Sequence, residues 1–228
     1  MEKLLILLNE NNEVTGYAPK IEVHKKGLLH RAFSIFIYDR STKKMLLQKR
    51  SKSKYHSGGL WSNACCSHPY KDELWKDAIQ RCMKDELGIV PPFREQFIEG
   101  INPFEYPPCT DSDRIQFVSK FHYCVDVSDM TENEMDYVFL YYPNLDIKSS
   151  ISINPYEIDE TKWVSLDELD FMLANNPDAF TAWFQKAYEI AKYGIKVEDS
   201  WDGYEKYGFY IENSQKYNHK RKTFEIAK

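Results

Sequence analysis

Cysteine is scarce in this chain, five among 228 residues, and the odd number leaves at least one thiol unpaired. No secretory leader is legible, which points to reduced thiols and a cytoplasmic setting rather than a disulfide-stapled scaffold. The stretch LLILL at 4–8 is too short for a leader's core and runs straight into NENNE. No apolar run approaches the roughly 18 residues that a membrane span needs, so no membrane partner is expected. Positive charge is in short supply too. A net charge of −5 argues against a nucleic-acid partner, because phosphate backbones demand a basic surface. It leaves room for a small anionic ligand, which needs only a local cluster of Lys and Arg. A zinc finger would require a second Cys/His pair at suitable spacing, and none appears. Repeats, low-complexity tracts and linkers are also missing.

What is present suits one packed domain. Hydrophobic residues make up 43% and charged residues 29%, enough to bury an ordinary core. Sixteen tyrosines and five tryptophans leave material for an aromatic-lined pocket as well. The chain opens with a strand, KLLILLN, then a turn at ENNEVTG. AFSIFIYDR (32–40) alternates like a half-buried strand, STKK turns the chain, and MLLQKR completes a hairpin. Residues 73–87 form the clearest helix, with Leu74, Ala78, Cys82 and Met83 three to four apart and Gly88 as its stop. IQFVSKFHYCVDV (115–127) and TENEMDYVFLYY (131–142) read as antiparallel partners. TKWVSLDELDFML gives a short strand, a Ser165 cap and a helix, and 181–194 is helical again. The tyrosine-rich tail, with its basic patch HKRK, reads as a solvated end. The expected organisation is one mixed α/β (α+β) domain over 1–194 with a C-terminal extension at 195–228.

Two stretches could carry chemistry. GGLWSNACCSHPYKDE (58–73) sets two cysteines beside a histidine, which by itself is open to a metal site, a vicinal disulfide, a nucleophile or none of these. The helix after it resembles the Nudix box, a pattern that turns carboxylates towards a divalent cation holding a diphosphate. Ser67 stands at that pattern's first Gly, Glu73 and Arg81 fit, and Asp85, Glu86, Gly88 and Ile89 follow. Cys82 replaces a Glu, and a thiol cannot serve a hard Mg²⁺ ion. The helix therefore looks able to bind a metal diphosphate but poorly equipped to hydrolyse it. On a strand, residues two apart share a face, so Glu132 and Glu134 could reach one ion, and Cys66 and His68 share parity likewise. His24, His30 and His68 fall near strand edges before the helix. Each alone is an ordinary residue; together with ENE they suggest a cation site.

Taken together, HKKGLLHRAFSIF, QKRSKSKYHSGGLWSNACCSHP, DAIQRCMKDELGI and TENEMDYVFLYY resemble the type I isopentenyl diphosphate isomerases, enzymes of Nudix fold. The similarity runs from about residue 4 to 190, and N-x-x-C-x-H-P, the preceding histidine pair and the later E-x-E are its specific marks. The resemblance implies a Nudix-like mixed-sheet α/β/α sandwich with additional C-terminal helices. It implies that Cys66 is the catalytic thiol and Glu134 the other acid/base group, with Tyr123 bonding near the reacting carbons. His24, His30, His68, Glu132 and Glu134 match the family's metal cage, expected to hold Mn²⁺ or Zn²⁺. Glu86 matches the ligand of an Mg²⁺ ion on the substrate's diphosphate, and Lys20, Arg50 and Lys54 match the residues that grip it. Trp183 matches an aromatic wall. Two positions depart from the family: Cys82 stands where an Arg is frequent, and Ser57-Gly58-Gly59 replaces an aromatic-Pro-Gly turn.

The expected reaction converts isopentenyl to dimethylallyl diphosphate, adding a proton at one carbon and removing one from another through a carbocation-like state. That needs an acid and a base about the substrate, exclusion of water, and an electron-rich wall facing the cation. The partner is a small-molecule diphosphate, and the protein is expected as a monomer or weak homodimer. The rival expectation is a Nudix hydrolase cleaving a nucleoside diphosphate derivative.

Overall fold

The computed structural model describes residues 3–91, 114–143 and 147–199. Its sheet contains nine strands: β1 (Leu4–Leu8), β2 (Val14–Pro19), β3 (His30–Asp39), β4 (Lys44–Arg50), β5 (Trp61–Ser62), β6 (Cys65–Ser67), β7 (Arg114–Val127), β8 (Met130–Tyr142) and β9 (Ile158–Ser165). Four α-helices accompany them among the described residues: α1 (Lys20–Lys25), α2 (Trp75–Leu87), α3 (Leu166–Asn175) and α4 (Phe184–Asp199).

Strand β3 is the hub, antiparallel to β1, β4 and β6 and parallel to β8. Its alternation suggested one wet face, but Ala32 to Tyr38 are all buried. Phe33, Ile35 and Ile37 pack with Ile79, Met83 and Leu87 of α2, while Phe36 and Tyr38 pack with Phe184, Ala187 and Tyr188 of α4. Helices cover both faces, so both parities of the strand are apolar. This is the expected mixed-sheet α/β/α sandwich.

Two local readings change. The turn expected over ENNEVTG is confined to its first half, where Asn9 accepts from the N–H groups of Asn11 and Glu13 and Asn12 takes a φ of 64°. From Val14 the chain is already β2, paired to β1. His24 lies on the short helix α1 rather than at a strand edge.

The β3–β4 and β7–β8 hairpins form as expected. Ser165 caps α3 by accepting from Glu168 N–H at 3.1 Å. Helix α4 continues past 194 to Asp199, and the HKRK patch and the rest of the tail lie outside the described residues.

Candidate active site

Strand β8 changes character along one face. Val138, Leu140 and Tyr142 pack in the α4-side core, and the same parity continues back through Asp136, Glu134 and Glu132. Three acids two residues apart thus line one row, all of them buried. Sheet register then supplies their neighbours. His30 of β3 stands opposite Glu134, Tyr123 of β7 stands opposite it on the other side, and Cys66 of β6 pairs with Ser34 of β3.

His24, His30, His68 and Glu134 converge, with their ligand atoms all within 4.8 Å of one another. Glu134 Oε1 lies 3.2 Å from His30 Nε2 and 2.8 Å from His68 Nε2. The rings are fixed from behind. His24 Nδ1 is 2.7 Å from the Lys20 carbonyl and His30 Nδ1 is 2.8 Å from the Leu28 carbonyl. A carbonyl can only accept, so each Nδ1 carries the proton and each Nε2 keeps a lone pair facing inward. Those two Nε2 atoms are buried and lack any hydrogen-bond partner. Burial holds His24 below the usual imidazole range and His68 down to about 3, leaving both neutral. Neutral imidazoles around a carboxylate, with orphaned lone pairs, fit a divalent cation.

Glu132 sits at the cage's edge, its Oε1 3.5 Å from His24 Nε2 and 2.9 Å from His56 Nε2. Burial and the charge of Glu134 push the Glu132 carboxyl up to about 10. Burial would raise Glu134 as well, but the close His30 and His68 rings hold it well below the ordinary carboxylate range.

Beside the cage lies a cavity of about 240 Å³ lined by Cys66, Tyr123 and Trp183 together with Lys20, Arg50 and Lys54. Tyr123 O–H donates to Glu134 Oε2 at 2.6 Å, and its ring lies 6.2 Å from that of Trp183. Trp183 Nε1–H donates to Asn63 Oδ1 at 3.2 Å, and the Asn63 amide donates to the Cys65 carbonyl at 2.6 Å. Asn63 of the N-x-x-C motif thereby ties the aromatic wall to the strand bearing Cys66. Burial pushes the Cys66 thiol up, against an opposing pull from the Arg50 guanidinium, whose Nη1 is 3.7 Å from Sγ. Cys66 therefore stands as a neutral thiol at neutral pH.

Glu86 of α2 lines the same cavity. Burial pushes it up to about 7, and it accepts from Gln48 Nε2 at 3.1 Å. Cys82 contacts it, Sγ to Oε1 at 3.5 Å. Arg81 is committed elsewhere: it grips Glu73 at 2.7 and 2.9 Å and the His68 carbonyl at 3.0 Å. Lys54 is paired with Glu157. In the departing turn, Ser57 and Gly59 take left-handed φ values of 52° and 80°.

All twelve residues singled out from the sequence thus gather around one cavity and the cage at its back. The reading passed over His56 and Asp136. Asp136 accepts from Ser34 Oγ at 2.8 Å, and burial with the charge of Glu134 pushes it up to about 8. Extending the Glu132–Glu134 alternation by one step would have found it. No local signal marks His56, which arrives through the fold of its loop. The cysteines among the described residues are all free.

A family model described as the NUDIX domain matches residues 28–184. The isopentenyl-diphosphate Delta-isomerase 2 of Photorhabdus laumondii is 35% identical over 187 residues, spanning 82% of this chain and 90% of that protein. The isopentenyl-diphosphate Delta-isomerase 2 of Aromatoleum aromaticum is 37% identical over 183 residues, 80% of this chain and 83% of that protein. The crystal structure of DR0079 from Deinococcus radiodurans matches with a TM-score of 0.57 at 14% identity, covering 82% of this chain and 99% of that one, a likeness of fold alone. This chain belongs to the Nudix family and, within it, to the isopentenyl-diphosphate Delta-isomerases.

Proposed function

We propose that the protein interconverts isopentenyl and dimethylallyl diphosphate, with Cys66 and Glu134 as the proton-transferring pair. The observation that carries this reading is that a neutral thiol and an ionised carboxylate line one cavity together with Tyr123, Trp183 and the cations Lys20, Arg50 and Lys54. A proton must reach the terminal methylene of the alkene and another must leave the methylene next to its branched carbon. One of the pair supplies the first and the other accepts the second, so each turnover exchanges their protonation states and solvent restores them. Tyr123, donating to Glu134 Oε2, orients that carboxylate and adjusts its basicity. Trp183 presents a π face to the carbon that becomes positive, worth about 2 kcal/mol when desolvated. The rings of Tyr123 and Trp183 would shield the cation from water that would trap it.

The diphosphate takes no part in bond making. Lys20 and Lys54, the less buried cations, would hold it at the mouth with Arg50 deeper beside Cys66, and Glu86 would share an Mg²⁺ ion with it. His24, His30, His68 and Glu134, with Glu132 at the edge, would hold Mn²⁺ or Zn²⁺, since imidazole and carboxylate suit both. Bound there, the cation supplies positive charge that sets the acidity of the Glu134 carboxyl.

Hydrolysis of a nucleoside diphosphate derivative suits the site less well. Among the described acids of α2, Asp85 and Glu86 line the cavity, whereas Asp77 is exposed and Cys82 takes an expected carboxylate position. The cavity also falls below the roughly 300–1,000 Å³ of clefts that take drug-sized ligands. Incubation with isopentenyl diphosphate and Mg²⁺ should yield dimethylallyl diphosphate, and Cys66→Ala should lower that rate by about 10²–10⁴-fold. Release of phosphate or of a nucleoside monophosphate from nucleotide substrates, undiminished in Cys66→Ala, would favour the hydrolase.

A further inference from the structure

His56 has no part in the chemistry above, yet it is only 8% exposed and reaches the cage. It lies between β4 and β5, in the loop that also carries Lys54. Its Nε2 stands 2.9 Å from Glu132 Oε1, the oxygen that also faces His24 Nε2 at 3.5 Å. Edge-on contacts to Tyr55 at 4.5 Å and Trp183 at 6.4 Å hold the ring on both sides. Its Nδ1 is 3.2 Å from Ser57 Oγ, the left-handed residue next to it.

The tautomer follows from these neighbours. At 2.9 Å the ring nitrogen and the carboxylate oxygen are within hydrogen-bonding distance. Once a cation in the cage keeps Glu132 ionised, a proton on His56 Nε2 can serve its Oε1, and Nδ1 is then free to accept from the Ser57 hydroxyl. His24 and His30 have the opposite arrangement: their Nδ1–H groups are spent on backbone carbonyls and their Nε2 lone pairs face the cage. His56 is therefore arranged to hold a ligand rather than to be one. Its N–H is not aligned on Glu132 Oε1, which has no hydrogen-bond partner in this structure, so what the fold provides is a fixed close approach of the ring to that oxygen.

We propose that His56 is a positioning residue for the cage, restraining Glu132 at its edge and fastening the Lys54 loop to it. Cation binding and loop order then support each other, since coupling between two sites is reciprocal. The proposal rests on the reading of His24, His30, His68 and Glu134 as a cation site.

The test measures Mn²⁺ retention against a competing chelator, following released aqua Mn²⁺ by electron paramagnetic resonance, in wild type and variants. His56→Ala should hold Mn²⁺ about 10–100-fold more weakly, in the range found for lost outer contacts. His56→Gln, whose amide can still donate to Glu132, should stay close to wild type, and its Co²⁺-substituted form should show an unchanged visible spectrum. His56→Leu keeps bulk without a donor and serves as the loss variant should His56→Ala fail to fold. Mn²⁺ retention in both loss variants equal to wild type would overturn the proposal. So would an altered Co²⁺ spectrum in His56→Gln, which would make His56 a ligand. A fall in melting temperature as large without metal as with it would reduce His56 to a structural residue and sink the idea as well. Wild-type protein that binds no Mn²⁺ would overturn the cage itself, and this proposal with it.

Discussion

The two ends of the cavity are held by different means. The cage end is set by sheet register: Glu134 lies between His30 and Tyr123 on hydrogen-bonded strands, and His24 and His30 are clamped by backbone carbonyls. The gripping end draws on Lys20 of α1, Arg50 at the end of β4, Lys54 of the 51–60 loop and Glu86 of α2, through long side chains with local partners such as Lys54 with Glu157. Both departures from the family pattern, Cys82 and Ser57-Gly58-Gly59, fall at this second end. A proton transfer fails when its groups move by an ångström, whereas a diphosphate can be held by several alternative cations. Strict geometry is therefore needed at the cage, and substitution is tolerated at the mouth.

Breaking the cage should do the most harm. His30→Ala removes an imidazole that faces Glu134 at 3.2 Å and leaves a buried carboxylate short of a partner. Isomerase turnover should fall by at least about 10²-fold with loss of bound metal, the effect expected when a general acid–base group loses its setting. Elemental analysis and kcat measured together check this; full metal content with full kcat would count against the cage. Stripping the metal with a chelator should reproduce the loss in wild type, and readdition of Mn²⁺ should reverse it.

The wall comes next. Trp183→Leu preserves an apolar surface but removes the π face, and about 2 kcal/mol of cation stabilisation corresponds to roughly 30-fold in kcat. The KM should stay within a few-fold of wild type. An equal rise in KM with kcat unchanged would mean that Trp183 merely shapes the pocket. At the mouth the split should reverse. Lys54→Ala should raise KM by about tenfold, the worth of one charge-assisted contact, and leave kcat nearly intact. Should kcat fall instead, the separation of grip from chemistry would be lost.

Much of the scaffold was legible because its signals are local. Alternation marked the long β7–β8 hairpin, and Gly88 and Ser165 marked helix ends as expected. The alternation rule misjudged β3, since a strand covered by helices on both sides is buried at both parities, and its buried Ser34 reads as a wet position. Helix α1 escaped notice because six residues make less than two turns of pattern. The site was legible through family resemblance rather than through spacing. His24, His68 and Glu134 are far apart in the chain and meet only when α1, the end of β6 and β8 come together. His56 lies within the quoted motif, but its approach to Glu132 depends on the path of a loop that no residue pattern encodes.

The smallest expected effect tests whether the two ends are independent. Gly88 ends α2 with a φ of 71°, and its N–H and that of Ile89 return to the carbonyls of Lys84 and Met83. The 152–154 segment is tied to the same helix end, Ser152 N–H donating to the Leu87 carbonyl and Asn154 N–H to that of Glu86. A Cβ at Gly88 would stand 3.0 Å from the Ser152 carbonyl oxygen. Left-handed backbone costs a residue with Cβ about 1–2 kcal/mol, so Gly88→Ala should lower the melting temperature by about 2–8 °C. The strain enters at the turn bearing Glu86, so KM should rise modestly. The cage draws nothing from that turn and should keep its metal content and its kcat. A metal content that falls together with the melting temperature would show that the helix end and the sheet register are mechanically one unit, and the contrast between the two ends would dissolve.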